Sequence, residues 1–413
     1  MIRVRYLSAL CSEATLQYIF ETSTRKPQLA AQKFHRLLAE GMGMLASDCT
    51  VETYSIIPVV RRNHSRIWWR LPGEKSRGVQ YRYVPFINLP VLKNLGAFLA
   101  YFFSNIFWLL SGRKDQRVLI CDALNPTLSL AAIAAAKITG RKCLGIVTDI
   151  PGMMVTSSES RQTFTGKLYS VVTRSALARF SGYILLTEAM SAVVNPKNRP
   201  YIIVEGLVDM NMSSVENDLT KKASPRVILY GGGLFAKYGV ENLVLAFMKT
   251  SDPNTELHLY GSGAMEKDLG TYSAQDPRVI YHGLVPTNVV VNAQLEASLL
   301  VNPRPSSEEF TKYSFPSKNM EYMASGTPTL TTPLPGMPPE YKPFVYLFEG
   351  EDPEQMARKL EEVMSQSAQD LHEFGKQAKA FVLTHKNNKV QAHRVLEFAR
   401  LTMGNKIHIP SVS

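Results

Sequence analysis

Short apolar, β-branched runs alternate with segments of helical period along most of this chain. Residues 2–7, 50–57, 118–121, 143–147, 183–186 and 201–204 form the first series of such runs. Continuous apolar runs of this length suit strands covered on both faces. Between them, Ala30, Phe34, Leu37 and Leu38 repeat at helical spacing, as does the small-residue stretch 126–138. Strands alternating with helices predict parallel sheets joined by crossover helices. The stretch 207–226 breaks the rhythm with Asn211, Ser213, Asn217, Lys221 and Lys222 and reads as a linker. The alternation then restarts, with strands expected at 227–230, 256–260, 279–282, 298–302, 329–331 and 345–348. Helices are expected near 240–248, 353–364, 368–383 and 389–403. The pattern predicts an α/β chain of two doubly wound, Rossmann-like domains facing across a cleft. These would be 1–206, a linker at 207–226, then 227–385, with a last helix within 386–413.

A length of 413 residues is long for one core and comfortable for two. The four cysteines, Cys11, Cys49, Cys121 and Cys143, are widely spaced. That spacing argues against a paired-ligand zinc site and a disulfide framework, and it suits a reducing compartment. The start, MIRVRYLSAL, lacks the long apolar core of a secretory leader. A cytoplasmic protein is therefore expected.

Charge is unevenly placed. Up to Gly206 there are 26 Lys and Arg against 12 Asp and Glu; beyond it the count is 20 against 23. An anionic partner for the first half follows: a membrane surface, a phosphorylated lipid or nucleic acid. The run 61–70 holds Arg61, Arg62, Arg66 and Arg70 around Trp68 and Trp69. Indole rings beside guanidinium groups suit a lipid headgroup layer. A solvated basic loop would carry the same residues. Stacking on nucleic acid is a weaker reading, because no nucleic-acid module accompanies the run. The apolar stretch 95–111 is near the lower limit for crossing a bilayer and contains Ser104 and Asn105. Strands resume directly after it, so a helix packed in the domain or lying on a membrane is expected.

The stretch 308–330 carries the densest chemistry. Pro316 presets a helix start and Gly326 can end it in the left-handed conformation, giving a helix at about 316–325. Amides at such a start attract anions. Ser317 and Lys318 stand there, and Glu321 follows one turn on as an acceptor for two sugar hydroxyls. A capped surface helix would read alike. Upstream, Gly231, Gly232 and Gly233 follow a strand, with Lys237 close behind. Glycines at this place let backbone approach an anion. Gly261, Ser262 and Gly263 form a second strand-end turn, and His282 lies at a third. Arg304, after the 298–302 strand, reaches either the cleft or a surface turn. In the first half, Asp149 ends a strand and would face the cleft. Lys26 and Lys33 are candidates to dock an acceptor's pyrophosphate.

The run from Glu321 to Pro328, with Phe315-Pro316-Ser317-Lys318 before it, resembles the nucleotide-sugar site of GT-B glycosyltransferases. The resemblance is to retaining family four, bacterial surface-polysaccharide type. That family carries Glu, seven residues, then Glu. Here Tyr313 stands at the first position, and Glu309 is the nearest substitute. The resemblance implies a hexosyltransferase using a UDP- or GDP-type donor, with no cofactor and no metal. Ser317, Lys318 and Lys237 would hold the diphosphate, with Gly232, Gly233, Gly261, Ser262, Gly263 and His282 lining the donor. Glu321 would take the ribose. Glu309 and Asp149 would touch the reacting sugars. It implies a saccharide or polyprenyl-diphosphate-linked acceptor, an anionic membrane surface met by the basic run, and no nucleic acid. Residence on the inner face of the cell membrane and a terminal helix crossing back to the first domain follow from the same likeness. A sugar-nucleotide epimerase and a non-catalytic assembly protein on the same fold are the alternatives.

Overall fold

A computed structural model describes residues 1–24, 30–113, 116–151 and 164–404. The chain divides into two compact units, one of residues 1–207 with 388–413, the other of residues 208–387.

The first unit is built on an eight-stranded sheet. Its strands are β1 (Ile2–Leu7), β2 (Cys49–Ser55), β4 (Glu74–Ser76), β5 (Val79–Tyr83), β7 (Arg117–Asp122), β8 (Lys142–Val147), β9 (Gly182–Leu185) and β10 (Tyr201–Ile203). Their order is β10-β9-β8-β7-β1-β2-β5-β4, parallel except for β4 against β5. A two-stranded ribbon, β3 (Trp68–Trp69) with β6 (Phe86–Ile87), lies apart from it. The central strands are buried almost without interruption, as a sheet covered on both faces requires. The sequence pattern missed β4, β5 and the ribbon. In β5, Val79, Tyr81 and Tyr83 point inward while Arg82 points out, so period two is present but lies inside the basic stretch.

The apolar stretch forms the helix Pro90–Leu110 of 21 residues. Ala97, Tyr101, Asn105 and Leu109 are its buried face. Leu95, Leu99, Phe103 and Phe107 lie on an exposed one. Among the described residues no helix is long and apolar enough to cross a membrane. The terminal helix Asn388–Thr402 belongs to the first unit, where it packs on the helix Ala30–Gly43. The approach is close enough that a β-carbon on Gly41 would stand 2.1 Å from the Asn388 carbonyl oxygen.

The second unit holds a six-stranded, all-parallel sheet in the order β13-β12-β11-β14-β15-β16. These strands are β11 (Arg226–Gly233), β12 (Thr255–Ser262), β13 (Val279–Gly283), β14 (Leu299–Asn302), β15 (Thr329–Thr331) and β16 (Tyr346–Leu347). Helices Val240–Phe247 and Pro353–Met364 pack together over its core, around Ile228, Leu257, Leu299 and Leu360.

The stretch 208–226, expected as a linker, packs instead on the second unit. Asn217 Nδ2 donates to the Ser325 carbonyl (3.0 Å) and to Thr327 Oγ1 (2.9 Å). The Lys222 ammonium donates to the carbonyls of Leu295 (2.8 Å) and Ala297 (2.9 Å) and to Thr327 Oγ1 (3.1 Å). Asn217 and Lys222 thus serve as partners of the second unit, while Asn211, Ser213 and Lys221 are exposed.

Candidate active site

Chain order and spatial order diverge in the second sheet on either side of β11: β12 lies on one flank and β14 on the other. Ligands of open parallel sheets bind beyond the strand ends at such a switch. The carboxyl end of β11 is the glycine run 231–233, and these glycines are strand, not loop. Gly232 pairs with Gly261 and Gly233 with Ser262. The Gly231 N–H donates to the Tyr322 hydroxyl at 2.9 Å. The Gly231 amide is thus taken by a side chain, and the lack of side chains along the run gives close approach to its neighbours. A β-carbon on Gly232 would lie 2.5 Å from Lys318 Cε and 2.8 Å from the Tyr230 hydroxyl. At Gly261, φ is +132° and a β-carbon would lie 1.8 Å from the Gly232 carbonyl oxygen. The Gly263 amide is also taken, by Glu266 Oε1 at 2.7 Å, so the chain's own carboxylate occupies that expected anion contact.

Lys318 comes from the helix Ser317–Ser325. Pro316 is its N-cap, with extended backbone (ψ 120°), rather than its first helical residue. Proline brings no side-chain acceptor; the Asn319 amide donates to the Pro316 carbonyl at 3.0 Å, and the Ser317 amide is left for water or a ligand. Gly326 closes the helix in the left-handed conformation, φ 80°. Asn319, Met320, Tyr322 and Met323 form the buried face. Lys318 and Glu321, three residues apart and half-buried, are neighbours on one side of the helix. Ser317 is exposed.

Buried hydrogen bonds fix this helix to the strand ends. Asn302 Nδ2, at the end of β14, donates to Asn319 Oδ1 at 2.6 Å, and Asn319 Nδ2 donates to Thr331 Oγ1 at 3.2 Å. Sequence reasoning missed Asn302, Asn319 and Tyr322. An asparagine at a strand end and another in the second half-turn of a helix are the only signals, and their meeting is tertiary.

Arg304 sits just past β14. Its guanidinium lies 4.9 Å from the Tyr238 ring centre and 5.3 Å from that of Phe310. Its Nε is buried and has no hydrogen-bond partner. Burial lowers its pKa, while the hydroxyls of Tyr230 and Tyr238 act in the other direction. Arg304 thus links the turn Ala236–Tyr238, which carries Lys237, to the turn Glu309–Lys312, which carries Glu309. Lys237 and Glu309 are both exposed, and the Lys237 ammonium lies 5.4 Å from the Tyr238 ring centre. One end of the sheet therefore gathers Gly232, Lys318, Arg304 and Tyr230, with Lys237 and Glu309 on adjoining turns. His282 stands two strands from β11, stacked on Tyr260 with ring centres 4.3 Å apart. Ser262 is exposed at the end of β12.

In the first unit, Asp149 follows β8 by two residues and is partly buried. Burial raises its carboxyl to about 6, opposed by a hydrogen bond from the Ile150 amide (2.7 Å). Lys33 is exposed on its helix, and Lys26 lies outside the described residues. Of the basic run, Arg61, Arg62, Arg66, Trp68 and Arg70 are exposed. Trp69 is not: alternation along β3 turns it inward, where it donates to the Arg66 carbonyl (3.1 Å) and packs on His64. The expectation that both tryptophans meet a membrane is corrected to Trp68 alone.

Residues 213–381 match the family model of glycosyl transferases group 1. The second unit carries a glycosyltransferase group 1 domain. This family is one of enzymes that transfer glycosyl groups. No curated protein matches the chain in sequence. Solved structures agree with it over nearly its whole length. Sucrose-phosphate synthase from Thermosynechococcus elongatus superposes with a TM-score of 0.66 at 14% identity, covering 98% of this chain and 100% of that one. HepE of Anabaena in complex with UDP gives 0.61 at 12% identity, over 96% and 99%. The lipopolysaccharide outer core galactosyltransferase WaaB, in its apo form, gives 0.59 at 13% identity, over 97% and 100%. At such identities the likeness is one of fold. The fold of this glycosyltransferase-domain chain is GT-B, as the family resemblance implies, with two Rossmann-like units, as the sequence pattern predicts.

Proposed function

We propose that this chain moves a hexose from a nucleotide diphosphate sugar to a saccharide or lipid-linked saccharide acceptor, with retention of configuration, in surface-polysaccharide or glycan biosynthesis. The observation that carries the reading is the contact of Lys318 with Gly232 at the switch point of the second sheet, with Glu321 beside it. Lys318, the helix start at Ser317 and the unpaired Arg304 would hold two linked phosphates, and Glu321 the pentose. Cations and helix amides there stabilise the charge that develops on a departing diphosphate. HepE of Anabaena has been solved with UDP and with UDP-glucose, which supports a uridine donor. WaaB, by its name, acts on lipopolysaccharide, which supports a surface glycan.

The donor is tested by thermal stabilisation with a panel of UDP- and GDP-sugars, followed by product analysis with saccharide and lipid-linked acceptors. Stabilisation by one nucleotide class and transfer with the anomeric configuration kept are expected. Stabilisation by none of them, or sugar conversion without an acceptor, overturns the reading. Turnover is expected to survive a chelator; loss of activity restored by magnesium or manganese would assign the diphosphate to a metal.

The same proposal places the chain at the inner face of an anionic membrane. Support comes from Arg61, Arg62, Arg66 and Arg70 beside Trp68, and from the exposed apolar stripe of the helix Pro90–Leu110, which packs on β6 of the ribbon. Cosedimentation with phosphatidylglycerol vesicles, reduced in Phe107→Ser and absent for neutral vesicles, is the expected result.

A further inference from the structure

The helices Thr287–Glu296 and Ser317–Ser325 pack against each other in the second unit. The first begins beyond the carboxyl end of β13 and the second beyond that of β14, and each ends where the chain turns into the next strand. Lys318 and Glu321 stand in the first half of the second helix. Its far end, Ser325, lies about 10 Å along the axis from Lys318.

That far end is tied to the first helix by the segment 217–223. A helix leaves its last four carbonyls without internal partners. Here the Gln294 carbonyl accepts from Thr327 Oγ1 (2.7 Å), and that of Leu295 from Lys222 Nζ (2.8 Å). The Glu296 carbonyl accepts from the Ala223 amide (2.9 Å), and that of Ala297 from Lys222 Nζ (2.9 Å). Lys222 also donates to Thr327 Oγ1 (3.1 Å), directly after the Gly326 that closes the second helix. Asn217 Nδ2 completes the tie, donating to Thr327 Oγ1 (2.9 Å) and to the Ser325 carbonyl (3.0 Å). Thr327 is fully buried, and its hydroxyl gives one hydrogen bond and takes two.

An ammonium has three donors, and Lys222 spends all three on neutral oxygens at the tails of two helices. Positive charge is favoured at such tails. Stiff elements pass a shift at one end to the other. A change at Lys222 is therefore carried to the residues that the second helix presents at the strand ends.

We propose that Lys222 is a positioning residue for the donor: by tying the tails of the two helices it sets where Lys318 and Glu321 stand. This rests on the reading of those two residues as donor ligands, and adds to their site a residue at the opposite end of the unit.

Burial lowers the Lys222 ammonium from the ordinary 10.5 to about 8. Between pH 7 and 9.5 it gives up a proton, leaving two donors for three acceptors. The other charged and titratable groups on the elements around it are Asp218 and Lys221 on its own segment and Glu296 on the first helix. The helix Ala368–His385, which packs on the second, adds His372, Glu373, Lys376 and Lys379. Burial, with the charges of Lys222 and Lys376, holds His372 below its ordinary value, so it is neutral over this range. Burial lowers Lys379 too, so a variant at 222 is needed to tell the two lysines apart.

The test is calorimetry of UDP on the full chain at pH 7 and 9.5, with thermal midpoints on the same samples. Wild-type affinity should fall about threefold to tenfold over that range, the scale of one lost hydrogen bond. Lys222→Met should bind about tenfold more weakly at pH 7 and show no further fall. Lys222→Arg keeps charge and donors, so it should recover most of the affinity at pH 7 and hold it at pH 9.5. Equal wild-type affinity at the two pH values overturns the proposal, and that measurement needs no variant that folds. A Lys222→Met protein that melts lower yet binds UDP as wild type does also overturns it, leaving Lys222 a residue of stability alone. So does a fall with pH that persists in Lys222→Met, which would assign the titration to Lys379. Absence of UDP binding by wild type at pH 7 removes the donor reading and this inference with it. Binding at pH 7 that is unchanged at pH 9.5 removes the inference and keeps the donor reading.

Discussion

Lys318 Cε occupies the space that a side chain on Gly232 would need: a β-carbon there would stand 2.5 Å away. The lysine's path is therefore set by the absence of an atom. Gly232→Ala should move the flexible end of Lys318 and also press on the buried Tyr230 ring, whose hydroxyl would lie 2.8 Å away, at a cost of about 1–3 kcal/mol. UDP affinity should fall about tenfold, equivalent to about 1.4 kcal/mol. Calorimetry and a denaturation midpoint on one preparation separate the two effects. Gly261→Ala is the contrasting case: φ is +132° and the clash is with the Gly232 carbonyl. It should destabilise the unit by about 1–3 kcal/mol. An alanine at 232 with unchanged UDP affinity would show that Lys318 does not serve the phosphates.

Asn319 couples the first turn of the same helix to two strands. Asn319→Leu would strand Asn302 Nδ2, which now sits 2.6 Å from its side chain in a fully buried place, and would force an apolar side chain against Thr331 Oγ1, which keeps its own bond to the Asn302 carbonyl at 3.1 Å. Unsatisfied buried groups cost about 1–3 kcal/mol each. A loss of about 2–4 kcal/mol in urea unfolding is expected, with weaker UDP binding at temperatures where the variant stays folded. A variant as stable as wild type would mean the network is replaceable by packing.

Arg304 carries a buried, unbonded Nε between two aromatic rings. Removing an uncompensated charge relieves desolvation. Arg304→Met should therefore leave the free protein at least as stable as wild type. The same variant should bind UDP tenfold to a hundredfold more weakly, since a guanidinium placed for phosphate is worth several charge-assisted hydrogen bonds. Thermal melts with and without UDP check both parts: a higher melting point alone and a smaller ligand-induced rise. A variant that melts lower without UDP and keeps the full rise would make Arg304 a packing residue.

Elements ruled by one local signal were legible in the sequence. The strand Ile2–Leu7 and the helix Pro353–Met364 fall where apolar periodicity and the Asp352-Pro353 start place them. Gly326 ends its helix as a glycine in that position should. The glycines of β11 misled because glycine usually marks a turn. Here a parallel partner and a lysine need the room, and neither is visible locally. Trp69 misled because its two-residue strand is too short to display period two within a basic run. The stretch 208–226 misled because Lys222 and Asn217 find their acceptors 73 to 110 residues away. Lys318 and Glu321 were found from a helix start, whereas Arg304 and Asn319 gain meaning only once β14 is beside β11 and β15.

Asp149 offers the test with the clearest sign. Its carboxyl is raised by burial from the ordinary 3.8 to about 6. A folded value above the unfolded one means that folding favours the proton, so the ionised carboxylate burdens the fold. That burden is absent below about pH 4 and complete above about pH 6. Asp149→Asn carries no charge and escapes it. At pH 7 the variant should be more stable than wild type by about 1–2 kcal/mol, a figure reduced for the side chain's partial exposure. The difference should shrink on acidification toward pH 4. Turnover should fall tenfold or more, and the wild-type rate should lose its acid limb near pH 6 in the variant. Stability held at a place that works is a common price of function. Denaturant titrations at pH 4.5 and 7, with pH–rate profiles of both proteins, measure each part. A variant with full turnover and an unchanged acid limb would leave Asp149 a buried carboxyl of the β8 loop and take it out of the reaction.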